Sequence, residues 1–217
     1  MAVTTIVPLK ALAHAKSRMA GHLDEPGRRR LVAWMLDRVL DACLGAGAVS
    51  RVIVVAGDAQ AAAEAVRWGV EVVVEPTAGL AAALAMGDRT AAGMHATLVV
   101  PADLPLATAT DVDAVCAAGA HVPSVVVVAT RDGGTGALLR RPGAVVGTAF
   151  GPGSAAAHLR LAAAAGIRPV RLDLPNLAFD VDTPDDLRAL ADGGGYSPGR
   201  SCTRDEGCRP CQVGLRS

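Results

Sequence analysis

Apolar and polar positions follow two alternating patterns along the chain. Short runs rich in valine and isoleucine predict buried strands at 4–9, 51–57, 70–76, 96–103, 123–132 and 168–174. Between these runs, segments with apolar residues three to four positions apart predict helices, of which the first spans 25–44. Alternating strands and helices predict an α/β fold, with a single-domain, mainly parallel sheet flanked by helices.

The last helix has clear start signals. Thr183 and Pro184 suit the N-cap and the first turn, and Asp185 and Asp186 favour the positive end of the helix dipole. The periodic pattern then ends at Asp192, so we expect one domain at residues 1–192. Residues 193–217 contain glycine, proline and charge without periodicity, which predicts a disordered or loosely attached tail.

The tail contains three cysteines, Cys202, Cys208 and Cys211. A structural zinc site needs four ligands, and two Cys-x-x-Cys pairs are its strong signal. Here there is a single pair, one outlying cysteine and no nearby histidine, so a metal site is disfavoured. The role of the tail stays open.

Composition argues against nucleic-acid and membrane partners. Lysine plus arginine and aspartate plus glutamate both total 21, so the formal net charge is zero and no global field attracts polyanions. No stretch reaches the roughly 20 apolar residues of a membrane span. The first ten residues also lack the charged-then-apolar order of a signal peptide, so we expect a cytoplasmic protein.

A basic loop follows the first predicted strand. It contains Lys10, Lys16 and Arg18 with no acidic residue among them, and cations so placed can hold the phosphates of a nucleotide. No Gly-x-x-x-x-Gly-Lys-Ser/Thr or Gly-x-Gly-x-x-Gly motif follows a strand, which disfavours phosphate-loop hydrolases and NAD dehydrogenases.

Three aspartates stand at positions suited to a metal. Asp103 is expected at the carboxyl end of the fourth strand, because Pro105 cannot continue a central ladder. Asp180 and Asp182 lie two apart before the last helix, and in an extended segment such residues face the same side. Carboxylate oxygens are suitable ligands for magnesium. The alternative is a purely structural role for Asp180 and Asp182 in capping the last helix, but Thr183 already supplies that cap.

Two glycine-rich turns complete the candidate chemistry. One surrounds Thr135 before a short strand, and the other leads to Ser154 at the start of a helix. Glycine lets backbone N–H groups approach an anion, and a helix start suits phosphate or carboxylate. His158, on the same helix, is either a ligand of this pocket or an ordinary helix residue.

Taken together, these segments resemble the 2-phospho-L-lactate or phosphoenolpyruvate guanylyltransferases of coenzyme F-420 biosynthesis. The resemblance rests on five stretches in order: VPLKALAHAKSRMAG, GLAAAL, VVPADLPL, DGGTGALL with FGPGSAAAH, and FDVDTPDDL. They span residues 3 to about 190, and the first and last stretches are specific as a pair.

The resemblance implies a glycosyltransferase-A-like nucleotidyltransferase fold. It implies transfer of GMP from GTP to the phosphate of a small phosphorylated carboxylic acid, with Mg²⁺ as the cofactor. The implied metal ligands, which act in catalysis with Lys16, are Asp103, Asp180 and Asp182. The implied nucleotide contacts are Lys10, Lys16, Arg18, Gly79 and Leu80. The implied acceptor contacts are Thr135, Gly151 and Ser154.

The chain departs from the family pattern at two positions. The family commonly has Gly-Leu-Asn where this chain has Ala81, and Gly-Gly-Thr-Asn where it has Gly136. Both changes remove an amide side chain, which bears on nucleotide contacts or acceptor choice rather than on the fold.

Other functions remain open. One is another nucleotidyltransferase of this fold, of the molybdopterin or sugar-phosphate type, although those commonly open with Leu-x-Gly-Gly rather than the sequence at 7–10. Another is a catalytically silent nucleotide-binding protein. Among acceptors, phosphoenolpyruvate is favoured over 2-phospho-L-lactate and 3-phosphoglycerate because the alanine-rich composition suggests a GC-rich genome. The oligomeric state is not predicted.

Overall fold

The computed structural model describes residues 2–12, 16–77, 79–193, 199–203 and 206–211. Its strands are β1 Val3–Leu9, β2 Val49–Ala56, β3 Glu71–Val74, β4 Thr97–Val99, β5 Ser124–Ala129, β6 Thr135–Arg141, β7 Val170–Leu172, β8 Gly199–Thr203 and β9 Glu206–Cys211. Its α-helices are α1 Glu25–Gly45, α2 Ala59–Val66, α3 Leu80–Thr90, α4 Ala109–Ala118, α5 Ser154–Ala164 and α6 Pro184–Asp192.

The described part of the chain has a central sheet of seven strands in the order β3-β2-β1-β4-β6-β5-β7. Strand β6 runs antiparallel to both of its neighbours, while the other pairings are parallel. The mainly parallel α/β sheet predicted from the sequence is therefore confirmed.

Helices cover both faces of this sheet. Successive residues of β2 point to opposite faces. Val54 belongs to the core cluster that contains buried residues of α1, α2, α4 and α6, whereas Ile53 and Val55 belong to the cluster that contains those of α3 and α5. A strand buried on both faces has no polar side, which explains its continuous apolar sequence.

The end of the fourth strand differs from the prediction. Strand β4 stops at Val99, and Asp103 lies beyond it in a turn rather than at the strand end. Pro101 has no backbone N–H to donate, so the ladder ends earlier than the apolar run suggests. Thr183 does cap α6, and Asp186 completes a capping box with it.

The tail contains a hairpin in the two stretches that the structure describes, and the prediction of a disordered tail stays a prediction. Strands β8 and β9 pair antiparallel, with Gly199 opposite Cys211. Backbone pairing within a hairpin needs no apolar periodicity, which is why the sequence pattern did not indicate it. Residues 194–198, 204–205 and 212–217 lie outside the described residues, and the domain boundary at 192 stays a prediction.

Membrane insertion finds no support in the helices. In the described ranges, none of them is both long and apolar enough to cross a bilayer.

Candidate active site

An open cleft of about 460 Å³ lies where the loops that follow β1, β4 and β5 meet. This is the edge at which α/β sheets bind ligands. The predicted site residues that line the cleft are Lys10, Lys16, Arg18, Leu80, Asp103, Thr135, Gly151, Ser154, Asp180 and Asp182. Gly79 is not among the lining residues; it is the N-cap of α3, next to Leu80, with a φ of 120°.

One side of the cleft, which we call the charged wall, consists of Lys10, Lys16, Arg18, Asp103, Asp180 and Asp182. At its centre the Lys16 ammonium donates to Asp103 Oδ2 at 2.8 Å and to Asp182 Oδ1 at 2.7 Å. Lys16 is only 9% exposed and has a left-handed backbone, with φ 50°. That conformation costs a non-glycine residue about 1 kcal/mol, and the two ion pairs help to hold it.

The charges of Lys16 and Asp182 stabilise each other. Burial alone would lower the pKa of Lys16, but the carboxylates of Asp103 and Asp182 outweigh it and raise the pKa. Burial would likewise raise the pKa of Asp182, but Lys16, followed by Lys10 and Arg18, reverses this and lowers it. Lys16 and Asp182 are therefore both charged at neutral pH. A positive charge on Lys16 is what a contact with nucleotide phosphates requires.

The other cations of the charged wall face solvent. Arg18 is 75% exposed, with its Nη1 3.5 Å from Asp182 Oδ2, and Lys10 is also exposed. Exposed cations at the mouth of a cleft are available to incoming phosphate groups.

Asp180 has a different environment from the other two predicted ligands. It pairs with no cation among the described residues. Burial, and then the negative charges of Asp103, Asp132 and Asp182, raise its pKa to about 6. A desolvated carboxylate beside other carboxylates is an electrostatic cost that a bound cation would remove.

These donors are chemically suited to magnesium, which takes carboxylate oxygens and fills its shell with water and phosphate. Within the described residues, however, no three histidine, cysteine, aspartate or glutamate side chains form a group that could hold a metal ion. Instead, the Lys16 ammonium lies between Asp103 and Asp182. The role of Asp103, Asp180 and Asp182 as metal ligands stays a prediction.

The segment that carries Asp180 and Asp182 is fixed by contacts with the loops of Asp103 and Arg131. The Val181 N–H donates to the Asp103 carbonyl at 3.3 Å, and the Arg131 N–H donates to Ala178 at 3.2 Å. The Arg131 guanidinium also lies 4.5 Å from the centroid of the Phe179 ring. Asp103 and the two later aspartates are thus joined through the backbone as well as through Lys16.

Gly136 lets this segment approach β6. A Cβ built at Gly136 would lie 1.7 Å from the Leu177 carbonyl oxygen, so no larger residue fits without a backbone shift. The close approach of the Leu177 carbonyl therefore requires glycine at position 136 of this chain.

The basic loop rests on the end of β2. The Gly57 N–H donates to the Leu9 carbonyl, and a Cβ at Gly57 would lie 2.6 Å from the Ala11 nitrogen. Asp58, the N-cap of α2, also accepts from the Leu12 N–H at 3.0 Å. The loop therefore leaves β1 along a fixed path as far as Leu12.

Another part of the cleft lining is formed by Thr135 and Ser154, which together with their partner His158 we call the hydroxyl pocket. Thr135 Oγ1 lies 2.8 Å from Ser154 Oγ and 3.0 Å from His158 Nδ1. All three side chains are buried. The predicted acceptor residues Thr135 and Ser154 are thus brought together, with Gly151 beside them in the same cleft.

The backbone at the start of α5 is less available to an anion than the glycine-rich turn suggested. The Ser154 N–H donates to the Gly151 carbonyl, and the Ala155 N–H donates to Gly133. The side-chain hydroxyls are therefore the better candidates for anion contacts here.

Comparison with known proteins identifies the family. Residues 3–197 match the family model described as guanylyl transferase CofC like. The chain belongs to this guanylyltransferase family. A phosphoenolpyruvate guanylyltransferase of Rubrobacter xylanophilus is 41% identical over 206 residues, which cover 93% of this chain and all of the relative. A 3-phospho-D-glycerate guanylyltransferase of Phenylobacterium zucineum is 40% identical over 185 residues, which cover 82% of this chain and 85% of the relative.

A solved structure supports the fold. A putative nucleotide-diphospho-sugar transferase from Desulfovibrio desulfuricans superimposes with a TM-score of 0.70 at 17% identity, covering 87% of this chain and 85% of that one. The nucleotidyltransferase fold expected of this guanylyltransferase is confirmed.

Sequence reasoning missed two cleft residues of the guanylyltransferase. Asp132 accepts from the Thr130 hydroxyl at 2.5 Å and from the Gly134 N–H at 3.0 Å, which lowers its pKa. Its signal was an aspartate directly before a Gly-Gly turn. Phe150 also lines the cleft, and its signal was an aromatic residue directly before a glycine-rich turn.

Proposed function

We propose that this guanylyltransferase transfers GMP from GTP to the phosphate of a small phosphorylated carboxylic acid, releasing pyrophosphate, in coenzyme F-420 biosynthesis. The observation that carries the proposal is a single cleft that is lined both by cations and carboxylates and by the hydroxyls of Thr135 and Ser154. Such a cleft suits a polyphosphate and a small anion held side by side. GTP and phosphorylated acids are metabolites of the cell interior, which supports a cytoplasmic location.

Phosphoenolpyruvate is the acceptor that the relatives favour. The Rubrobacter relative and others from Sphaerobacter and Roseiflexus are named phosphoenolpyruvate guanylyltransferases. The Phenylobacterium relative is named for 3-phospho-D-glycerate, which keeps that acid as the second candidate. These acids share a phosphate and a carboxylate. A pocket that binds both groups must therefore distinguish one acid from another by the atoms that lie between the phosphate and the carboxylate.

The reaction needs no protein nucleophile. An oxygen of the acid's phosphate attacks the α-phosphorus of GTP, the new P–O bond forms, and the bond to the β-phosphate oxygen breaks to release pyrophosphate. The attacking phosphate is already anionic at neutral pH, so no general base is required. The residues of the chain bind and align the two substrates, which is a large part of the rate gain in such transfers.

The charged wall would hold the nucleotide. Lys10 and Arg18 are exposed at its mouth, and Lys16 is held between Asp103 and Asp182. Asp103, Asp180 and Asp182 would hold Mg²⁺, which when bound supplies positive charge to the phosphates that gain charge in the transition state. In our proposal Lys16 then contacts the triphosphate.

The decisive experiment measures pyrophosphate release from the purified chain with Mg²⁺, one nucleoside triphosphate and one acid. We expect release with GTP and phosphoenolpyruvate, and less with ATP, CTP, 2-phospho-L-lactate or 3-phosphoglycerate. Release with a sugar 1-phosphate or molybdopterin instead would favour another nucleotidyltransferase of this fold. GTP binding without release in any mixture would favour a silent nucleotide-binding protein.

A further inference from the structure

His158 is the buried histidine of the hydroxyl pocket, and both of its ring nitrogens have partners. The backbone N–H of Ala149 lies 2.8 Å from Nε2, and Thr135 Oγ1 lies 3.0 Å from Nδ1. The ring also meets Phe150 edge-on, with the centroids 5.0 Å apart. His158 therefore occupies one fixed orientation.

The two partners determine which nitrogen carries the proton. A backbone N–H can only donate, so Nε2 must accept and carries no hydrogen. Neutral imidazole then has its proton on Nδ1, which donates to Thr135 Oγ1. Burial, and then the positive charge of Arg140, lower the pKa of His158 to about 4, so the ring is neutral at pH 7.

This tautomer decides what the two hydroxyls can do. Thr135 and Ser154 have two hydroxyl protons between them, and the 2.8 Å bond that joins their oxygens uses one. Because His158 donates, it takes neither, so one proton is left for a ligand in the cleft. If Nδ1 were an acceptor, Thr135 would donate to it, Ser154 would donate to Thr135, and none would remain.

We propose that His158 is a positioning residue that makes the Thr135–Ser154 pair a hydrogen-bond donor to an anionic group of the acceptor acid. The identity of the anion rests on the proposed function, whereas the direction of the hydrogen bonds is independent of that function. The Ser154 and Ala155 N–H groups already donate to the carbonyls of Gly151 and Gly133. The hydroxyl proton is therefore the donor that the pair can offer to the anion.

The tautomer is tested by NMR of the full chain with ¹⁵N-labelled histidine. The signal of His158 is assigned by its loss in His158→Asn. We expect a protonated Nδ1 and an unprotonated Nε2 that do not change between pH 8 and about 5.5, because the ring stays neutral throughout. A protonated Nε2, or an imidazolium at pH 7, would overturn the inference whatever the enzyme catalyses.

A matched pair of variants separates positioning of the hydroxyls from anchoring of the backbone. Asn at position 158 carries its amide near the site of Nδ1, and Gln carries its amide near Nε2. We expect His158→Gln to lower the affinity for phosphoenolpyruvate by about tenfold, which is the effect of losing one hydrogen bond to an anion. We expect His158→Asn to restore most of that affinity, while the KM for GTP changes less than twofold in both.

Calorimetric binding of phosphoenolpyruvate is measured beside the kinetics, so that acceptor affinity is obtained without turnover. The control is His95→Asn, an exposed histidine outside the cleft, which should bind the acid normally. If Gln binds the acid as well as Asn does, or better, His158 acts through Ala149 and the inference is wrong. If the wild-type chain transfers GMP to no acid but shows the Nδ1 proton, the proposed function fails and the hydrogen-bond direction stands.

Discussion

The charged wall and the hydroxyl pocket belong to the same cleft but are built in opposite ways. The charged wall is partly exposed, and two of its three carboxylates, Asp103 and Asp182, are balanced by a cation of the chain itself, Lys16. The hydroxyl pocket is buried and neutral, and its hydrogen bonds run in one direction from Ala149 through His158 to Thr135.

The difference indicates what each side must do when substrates bind. Under the proposed function the charged wall has to exchange partners, because a metal ion and a triphosphate would compete with contacts that already exist. The hydroxyl pocket has its donors set in advance, so binding there costs little reorganisation. We therefore expect substitutions on the charged wall to act mainly on turnover, and those in the hydroxyl pocket to act mainly on acceptor binding.

The largest effect is expected for Asp103→Asn. Asparagine keeps the size but loses the charge, which weakens a hard-cation site and leaves Lys16 with one carboxylate. Turnover should fall ~100-fold, or about 2.7 kcal/mol, with partial rescue by extra Mg²⁺. Steady-state kinetics over a range of Mg²⁺ concentrations measure this.

The control for this variant is Asp41→Asn, an exposed aspartate on α1, which should leave turnover and Mg²⁺ dependence unchanged. Near-normal turnover of Asp103→Asn at limiting Mg²⁺ would contradict the shared metal site.

The second effect concerns Gly136, which lies next to Thr135 and against the segment of Asp180 and Asp182. Gly136→Ala places a methyl group 1.7 Å from the Leu177 carbonyl oxygen, so the backbone must move. The free energy of unfolding should fall by roughly 2 to 3 kcal/mol. Turnover should fall as well, since the aspartates shift.

Gly147→Ala is the matched control, because a Cβ at that exposed position meets no atom within 4 Å. Urea unfolding of both variants gives the comparison. Equal stabilities would mean that the acidic segment is not held against β6.

The third effect is a loss of stability in mild acid. The pKa of His158 is lowered from 6.5 to about 4 in the folded chain, so the unfolded chain binds more protons between these values. Stability is therefore full above about pH 6.5 and declines as the pH falls toward 4. Between pH 7 and 5 this group should remove about 2 kcal/mol.

Urea unfolding at several pH values, in the wild type and in His158→Asn, isolates this contribution as the difference between the two curves. The variant should show the shallower dependence on pH. Parallel curves would mean that His158 titrates with its ordinary pKa and that burial in the hydroxyl pocket does not keep its ring neutral.

The smallest effect is expected for Ser154→Ala. Removing this hydroxyl should raise the KM for the acid by about five- to tenfold, or roughly 1 kcal/mol or slightly more, and leave the KM for GTP unchanged. Ser50→Ala, an exposed serine on β2 outside the cleft, is the control. A raised KM for GTP with an unchanged one for the acid would move Ser154 to the nucleotide side and reverse the comparison.

The fold was predictable because its signals are local. The apolar runs marked the strands, and Thr183 with Pro184 marked the start of α6, where the structure has a capping box. The early end of β4 was harder, because an apolar sequence continues past the last ladder hydrogen bond.

The sequence indicated most of the predicted residues that line the candidate site, but not the contacts between them. Lys16 was expected to contact phosphates, whereas in the structure it bridges Asp103 and Asp182, 87 and 166 positions away along the chain. No local pattern encodes such a pairing. The direction of the hydrogen bonds through His158 was equally hidden, since it depends on the backbone N–H of Ala149.

The contact between Gly136 and Leu177 bears on how this enzyme and its relatives can diverge. A side chain at position 136 is compatible with the fold only if the connection from β7 to Asp180 takes another path, by insertion, deletion or displacement. Residue 136 and the path of that connection can therefore change only together during evolution. Grafting one without the other between homologues should yield a protein that folds poorly, even though each part is native to a working enzyme.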